Sequence, residues 1–303
     1  MLAQNDQTIH LADGRTLGYI EYGDPQGAVV FFHHGQPGNR LFHPDPAITK
    51  DVGLRLVIPD RPGYGLSSFY PERAIMDWPK DLLQLADALD VEQFGLIGFS
   101  AGGPYALACV AASPEKITRL VLISSAPPLS NRSLLHKMPF LVRFNYWTLH
   151  LFPRLFSLSF QWYWTRARKN PHQFIKMAKA QSSPADRMAL EDKDIYQMVL
   201  ESWKENLRID SKGYTKDAEI LLSDWGFDLK KINTEVLLWW GEHDHNSPSF
   251  VQEYFAAELP HSQTLRQANS GHFGFLQAWE KICRLMSPHY PPEVDESQQH
   301  GDA

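Results

Sequence analysis

Phe94-Gly95-Leu96-Ile97-Gly98-Phe99-Ser100-Ala101-Gly102-Gly103-Pro104-Tyr105-Ala106 is the stretch from which the rest of the chain can be read. The short apolar run Phe94–Ile97 predicts a buried strand, and the alanine-rich segment Ala101–Ala112 predicts a helix that follows it almost without a loop. Between them Gly98, Ser100 and Gly102 form a G-x-S-x-G pattern. A serine on so tight a turn needs small neighbours, because its backbone is strained and its hydroxyl must project into a cleft. The start of the helix also presents unpaired N–H groups, which stabilise negative charge developing beside them. A phosphate-binding loop is the competing reading, but no Gly-Lys-Ser/Thr follows and the glycines do not fit G-x-G-x-x-G.

Outward from this turn, Thr8–Ile20 alternates around Asp13-Gly14 and predicts an opening hairpin. Buried strands are expected at Ala28–Phe32, Leu54–Ile58, Leu120–Ile123 and Val236–Trp240. Helical patterns separate them: a weak one at Ala47–Val52, a strong one at Ile75–Leu89, and a final amphipathic one at Phe275–Met286. Strands alternating with helices give an α/β class with a mostly parallel sheet covered on both faces. The rhythm breaks after Leu129, where helix-like segments run on to about Trp225. The expected organisation is a core from residues 1–128 and 230–290, a helical insertion over 129–229, and a disordered polar tail over 291–303.

The strand ending at Phe32 runs into His33-His34-Gly35-Gln36-Pro37-Gly38, and the next one into Asp60-Arg61-Pro62-Gly63-Tyr64-Gly65. After Val236–Trp240 come Gly241-Glu242-His243-Asp244-His245, and later Ser270-Gly271-His272-Phe273. In this order the motifs resemble the α/β-hydrolase superfamily, in its esterase and proline-aminopeptidase-like branch. The resemblance covers roughly residues 8–128 and 230–286 and implies a helical cap inserted after the sixth strand. It implies Ser100 as nucleophile, Asp244 as acid and His272 as base, in the family's order of serine, acid, histidine. It also implies an oxyanion hole from the N–H groups of Gln36 and Ala101, with His34, Gly35, Gly98 and Gly102 as motif support. Glu242 is the competing acid. His243-Asp244-His245 can also be read as a metal cluster, but no second group of ligands stands at a recognisable spacing, and neither metal nor cofactor is expected.

The expected reaction is hydrolysis of a carboxylic ester, or a related acyl bond, of a small apolar substrate through an acyl-enzyme. Two readings stand beside it. A proline-type aminopeptidase would need acids to hold a substrate ammonium, for which Glu191, Asp192 and Asp194 are available; a ligand receptor would use the same scaffold without turnover. The formal charge of −6 gives no global case for nucleic acid. Cys109 and Cys283 lie in apolar stretches and fit reduced thiols, and no signal peptide or spanning run is visible, so a cytoplasmic protein is expected. Oligomeric state leaves no trace in the sequence.

One stretch departs from this acidic balance. Leu129–Ala185 holds nine Lys or Arg, no Asp or Glu, and a dense set of aromatics from Phe140 to Trp164. The expected arrangement buries those aromatics in the cap and over an apolar acyl pocket, with the cations paired to the acids of residues 186–205. A weak contact with an anionic membrane surface is the secondary reading.

Overall fold

The computed structural model describes residues 6–287; the tail expected at 291–303 lies outside the described residues. The chain runs through β1 (Gln7–His10), β2 (Thr16–Gly23), β3 (Ala28–His33), α1 (Pro46–Asp51), β4 (Leu54–Pro59), α2 (Trp78–Ala88), β5 (Phe94–Phe99), α3 (Gly102–Ala112) and β6 (Ile117–Ile123). Seven helices follow without a strand: α4 (Arg132–Lys137), α5 (Phe140–Leu151), α6 (Pro153–Lys169), α7 (Pro171–Gln181), α8 (Pro184–Ala189), α9 (Lys193–Arg208) and α10 (Lys212–Leu222). The sheet then resumes with β7 (Val236–Gly241), α11 (Ser249–Glu258), β8 (Ser262–Gln267) and α12 (Trp279–Met286).

One eight-stranded sheet results, in the order β1-β2-β4-β3-β5-β6-β7-β8. Among the described residues only the pairings β1–β2 and β2–β4 are antiparallel. Alternating strand residues feed two apolar layers. Phe31, Leu96 and Leu122 pack with Trp78 and Leu82 of α2 and Ala106 of α3; Phe32, Ile97 and Ile123 pack with Trp279 and Ile282 of α12. Parallel strands covered on both faces read as continuous apolar runs, as all six buried residues of β5 do.

Two elements differ from the sequence expectation. The final helix begins at Trp279 rather than Phe275, because Gly274–Leu276 forms a separate 3-10 turn. β8 was not expected at all: Ser-Gln-Thr-Leu-Arg-Gln is an edge strand with no buried residue, so it lacks the apolar run that marks its neighbours. Cys109 and Cys283 are both free and buried, and burial pushes both thiols up, Cys283 to about 12. Among the described residues no helix is long and apolar enough to cross a membrane.

Candidate active site

The carboxyl ends of the parallel strands carry the loops that the sequence singled out, which is where open α/β sheets place their ligands. Ser100 lies between β5 and α3 with φ +53°, a left-handed conformation rarely taken by a side-chain-bearing residue. Its neighbours explain why the turn holds. A Cβ at Gly98 would come 2.6 Å from the Gly103 Cα, and one at Gly102 would come 2.1 Å from the His33 carbonyl oxygen. The Ser100 N–H donates to the Ile123 carbonyl (2.9 Å) and the Ser100 carbonyl accepts from Ala126 N–H (2.9 Å), fixing the turn to the end of β6. Strain at this position therefore persists because its surroundings over-determine it.

The His34-Gly35-Gln36 loop closes one side of the site. A Cβ on Gly35 would meet the Phe99 ring at 3.1 Å and the Ser100 Cβ at 3.2 Å, so the loop backbone lies directly against the serine turn. Among the described residues, the N–H groups of Gln36 and Ala101 have no acceptor within the protein. The Gln36 side chain instead donates through Nε2 to the Tyr214 carbonyl of α10 (2.8 Å). His34 is buried; its Nδ1 lies 2.9 Å from the Gly35 carbonyl, and Nε2 lies 3.4 Å from the Arg61 N–H. Burial, together with the Arg61 charge, depresses its pKa well below the ordinary histidine value, so the ring is a neutral support for the loop.

His272 stands after β8, and its Nδ1 is 2.8 Å from Asp244 Oδ2. Both side chains are buried. The other Asp244 oxygen accepts from the N–H groups of Asn246 (2.8 Å) and Ser247 (2.9 Å), which orients the carboxylate. The Phe99 ring lies 4.9 Å from the imidazole, joining His272 to the residue that precedes Ser100. Burial disfavours a charged imidazole, but the Asp244 carboxylate outweighs it, with Asp186 acting in the same sense; the His272 pKa is raised. Burial likewise opposes charge on Asp244, and its His272 partner holds the carboxyl below the usual range. Glu242 is elsewhere: it is exposed and pairs with Arg266. His243 and His245 are also exposed, while the carboxylate between them is committed to His272.

Asp186 and Asp217, which have no local signature in the sequence, complete the site together with Arg61 of the loop after β4. Asp186 of α8 accepts the Phe273 N–H (2.9 Å) on one oxygen and the Ser183 hydroxyl (2.8 Å) on the other, clamping the His272 loop from the insertion side. Arg61, fully buried, donates to the carbonyls of His34 and Gly35, and through Nε to Asp217 of α10 (2.8 Å). Asp217 is itself fully buried and also accepts from Arg73 and from the Tyr105 hydroxyl (2.7 Å). Burial alone would raise its pKa, but the two guanidiniums and the hydroxyl hold it down to about 2.

This geometry has a counterpart in sequence: residues 28–278 match the family described as the alpha/beta hydrolase fold. The chain belongs to that family. As an α/β-hydrolase it is similar to a bifunctional esterase/perhydrolase from Acinetobacter calcoaceticus, 28% identical over 257 residues that cover 82% of this chain and 85% of that one. It is also similar to a non-heme chloroperoxidase from Streptomyces lividans, 32% identical over 135 residues; that match spans 42% of this chain and slightly under half, 47%, of the relative. Among solved structures, a bromoperoxidase from Bacillus anthracis shares the fold of this α/β-hydrolase with a TM-score of 0.68 at 19% identity, covering 92% of this chain and 96% of that one.

Proposed function

We propose that this α/β-hydrolase cleaves a carboxylic ester, or a related acyl bond, of a small and largely apolar substrate through an acyl-enzyme on Ser100. The observation that carries this reading is the 2.8 Å bond from His272 Nδ1 to Asp244, set against the serine turn by Phe99. With Nδ1 committed to the carboxylate, Nε2 is the free ring nitrogen. Ser100 Oγ attacks the substrate carbonyl as His272 Nε2 takes its proton. The negative charge on the carbonyl oxygen is met by the N–H groups of Gln36 and Ala101. Collapse expels the alcohol, which leaves with the proton from His272 and makes Ser100 an ester. A water that gives its proton to His272 then attacks this ester, and the acid departs as the proton returns to Ser100. The esterase relative from Acinetobacter supports the ester bond as the target.

In this reading the insertion is a cap: α10 touches the oxyanion loop through Tyr214 and Gln36, and α8 touches the histidine loop through Asp186. The acids considered for holding a peptide's ammonium, Glu191, Asp192 and Asp194, are exposed, and Asp192 caps α9. That placement favours an ester over an aminopeptide. The two free, buried thiols support a reducing compartment, the cytoplasm.

The test is fluorophosphonate labelling beside a panel of p-nitrophenyl esters of increasing acyl length, with prolyl and aminoacyl amides run in parallel. Rapid labelling with many turnovers of an ester supports the proposal. A single slow turnover supports a receptor instead, and turnover confined to the amides supports a peptidase.

A further inference from the structure

The helix pair α5 and α6 has two apolar faces where one is needed. The inner face is used: Leu149, Phe156 and Trp164 are buried, and the Phe160 ring lies tilted 5.0 Å from that of Tyr214, whose carbonyl holds the Gln36 side chain. The outer face is not. On α5, Phe140, Phe144, Trp147 and Leu151 follow one another at four-, three- and four-residue spacing, which is a single stripe, and they are between 47% and 77% exposed. On α6, Leu155, Leu158 and Trp162 repeat the pattern at 58–62% exposure. Isolated exposed apolar residues are ordinary, but contiguous stripes on adjoining helices mark an interaction site.

The charge around these stripes narrows the partner. None of the nine Lys and Arg between 129 and 185 forms an ion pair among the described residues. Of the acids that follow, Glu201 pairs with Lys204, and Glu205 with Arg40 and Arg208. Arg154 and Lys169 stand exposed near the two ends of α6, and the Arg166 guanidinium lies 4.9 Å over the exposed Trp162 ring. A second copy of the same face would oppose cations to cations, since a two-fold contact brings like patches together.

We infer that the outer face of α5 and α6 docks on an anionic lipid surface. The two helices, about 18 Å and 25 Å long at 1.5 Å per residue, lie in the interface plane. Aromatic and aliphatic side chains enter the headgroup and upper acyl region while the cations meet phosphate. The contact is on the solvent side of the same helix that faces Tyr214, so a bilayer would adjoin the loop of the proposed site without blocking it.

The experiment is co-sedimentation of the full chain with vesicles of phosphatidylcholine alone, or with about a third phosphatidylglycerol, near 0.15 M salt. Binding at least about tenfold tighter to the anionic vesicles is expected, weakening as salt rises because the Debye length is about 8 Å at physiological ionic strength. Trp147→Ser with Trp162→Ser should lower binding about tenfold, as should Arg154→Glu with Lys169→Glu, each at an unchanged melting temperature. Brominated acyl chains should quench the two exposed tryptophans of the wild-type protein. The inference is overturned by equal binding to both vesicle types or by none. It is equally overturned by a dimer in sedimentation velocity that falls apart in the Trp147→Ser, Trp162→Ser protein, which would assign the face to a second copy. None of these readouts requires turnover, so they stand apart from the ester test.

Discussion

All six residues of β5 are buried, whereas of the twelve residues of α5 only Leu149 is. Both segments are strongly apolar, and the contrast extends beyond them: every exposed large apolar side chain among the described residues except Phe69 lies between Phe140 and Met188. A parallel strand has neighbours on four sides, two in the sheet and a helical layer on each face, so its apolar residues are consumed internally. The insertion helices have the core on one side and solvent on the other. Apolar content alone therefore reports a core in the first region and a surface in the second, and only the number of faces the fold covers tells them apart.

The sharpest way to test this division is at the serine turn, where the sheet region is expected to hold the chemistry. Ser100→Ala should lower ester turnover by about 10⁴-fold or more while leaving the melting temperature unchanged. Retained activity would move the nucleophile away from β5. Asp244→Asn comes next, at roughly 10³–10⁴-fold in kcat, because the imidazole loses the partner that fixes its tautomer; Glu242→Gln, paired with Arg266 at the surface, should stay within about twofold. The reverse ranking would break the assignment.

Asp217→Asn asks whether the two regions are mechanically separate. It leaves Arg61 and Arg73 buried without their carboxylate, and removal of one member of such a pair costs about 3–5 kcal/mol. For a chain of this size that is a fall of roughly 10 °C in melting temperature by calorimetry, accompanied by reduced turnover as the His34-Gly35 loop loosens. A variant as stable and active as wild type would show that the insertion rests on the sheet without bracing it.

The pH dependence gives a smaller signal of known sign. His272 must be neutral to act as base, and its raised pKa places the rising limb of kcat/KM above the ordinary histidine value of 6.5. In Asp244→Asn the limb should move to lower pH, since burial then acts without the carboxylate; movement the other way would contradict the pairing. In stability the same raised pKa is a contribution that is full below the unfolded value and is lost as pH rises through the folded one. Asp217, held down to about 2, behaves oppositely: its contribution is present above about 3.8 and is lost as pH falls toward 2. The smallest effect is expected on the outer face, where Phe144→Ser should change stability by no more than about 0.5 kcal/mol in urea, because its ring is mostly in water.

How much could be read in advance follows the same division. The hairpin, the parallel strands and the serine turn each carry a local pattern, and each is found where its residues put it. β8 carries none, because an edge strand with polar residues on both faces has no periodicity to reveal. The ion cluster was equally invisible, since Arg61 and Asp217 are 156 residues apart and nothing near either one anticipates the other. The expected packing of the insertion fails for an instructive reason. Aromatic density suggested an interior, and Phe156 and Trp164 do lie inside, but Phe140, Phe144, Trp147 and Trp162 point outward, and the cations do not pair with residues 186–205. Helical spacing reports a stripe; it does not report how many stripes a helix has covered.

The contact between Gly63 and Gly213 bears on how such proteins could be recombined. A Cβ added to Gly63 would reach 2.7 Å from the Gly213 Cα, and one added to Gly213 would reach 2.2 Å from the Gly63 carbonyl oxygen, so the two backbones touch with no side chain between them. Arg61 and Asp217 form their buried pair two and four residues away. A helical segment transplanted from a relative onto this sheet would have to bring both a glycine and an acid at matching positions. Exchange of the segment as a unit is thus constrained by a single loop of the sheet region, and a chimera designed on the strand boundaries alone should misassemble unless residues 60–65 travel with it.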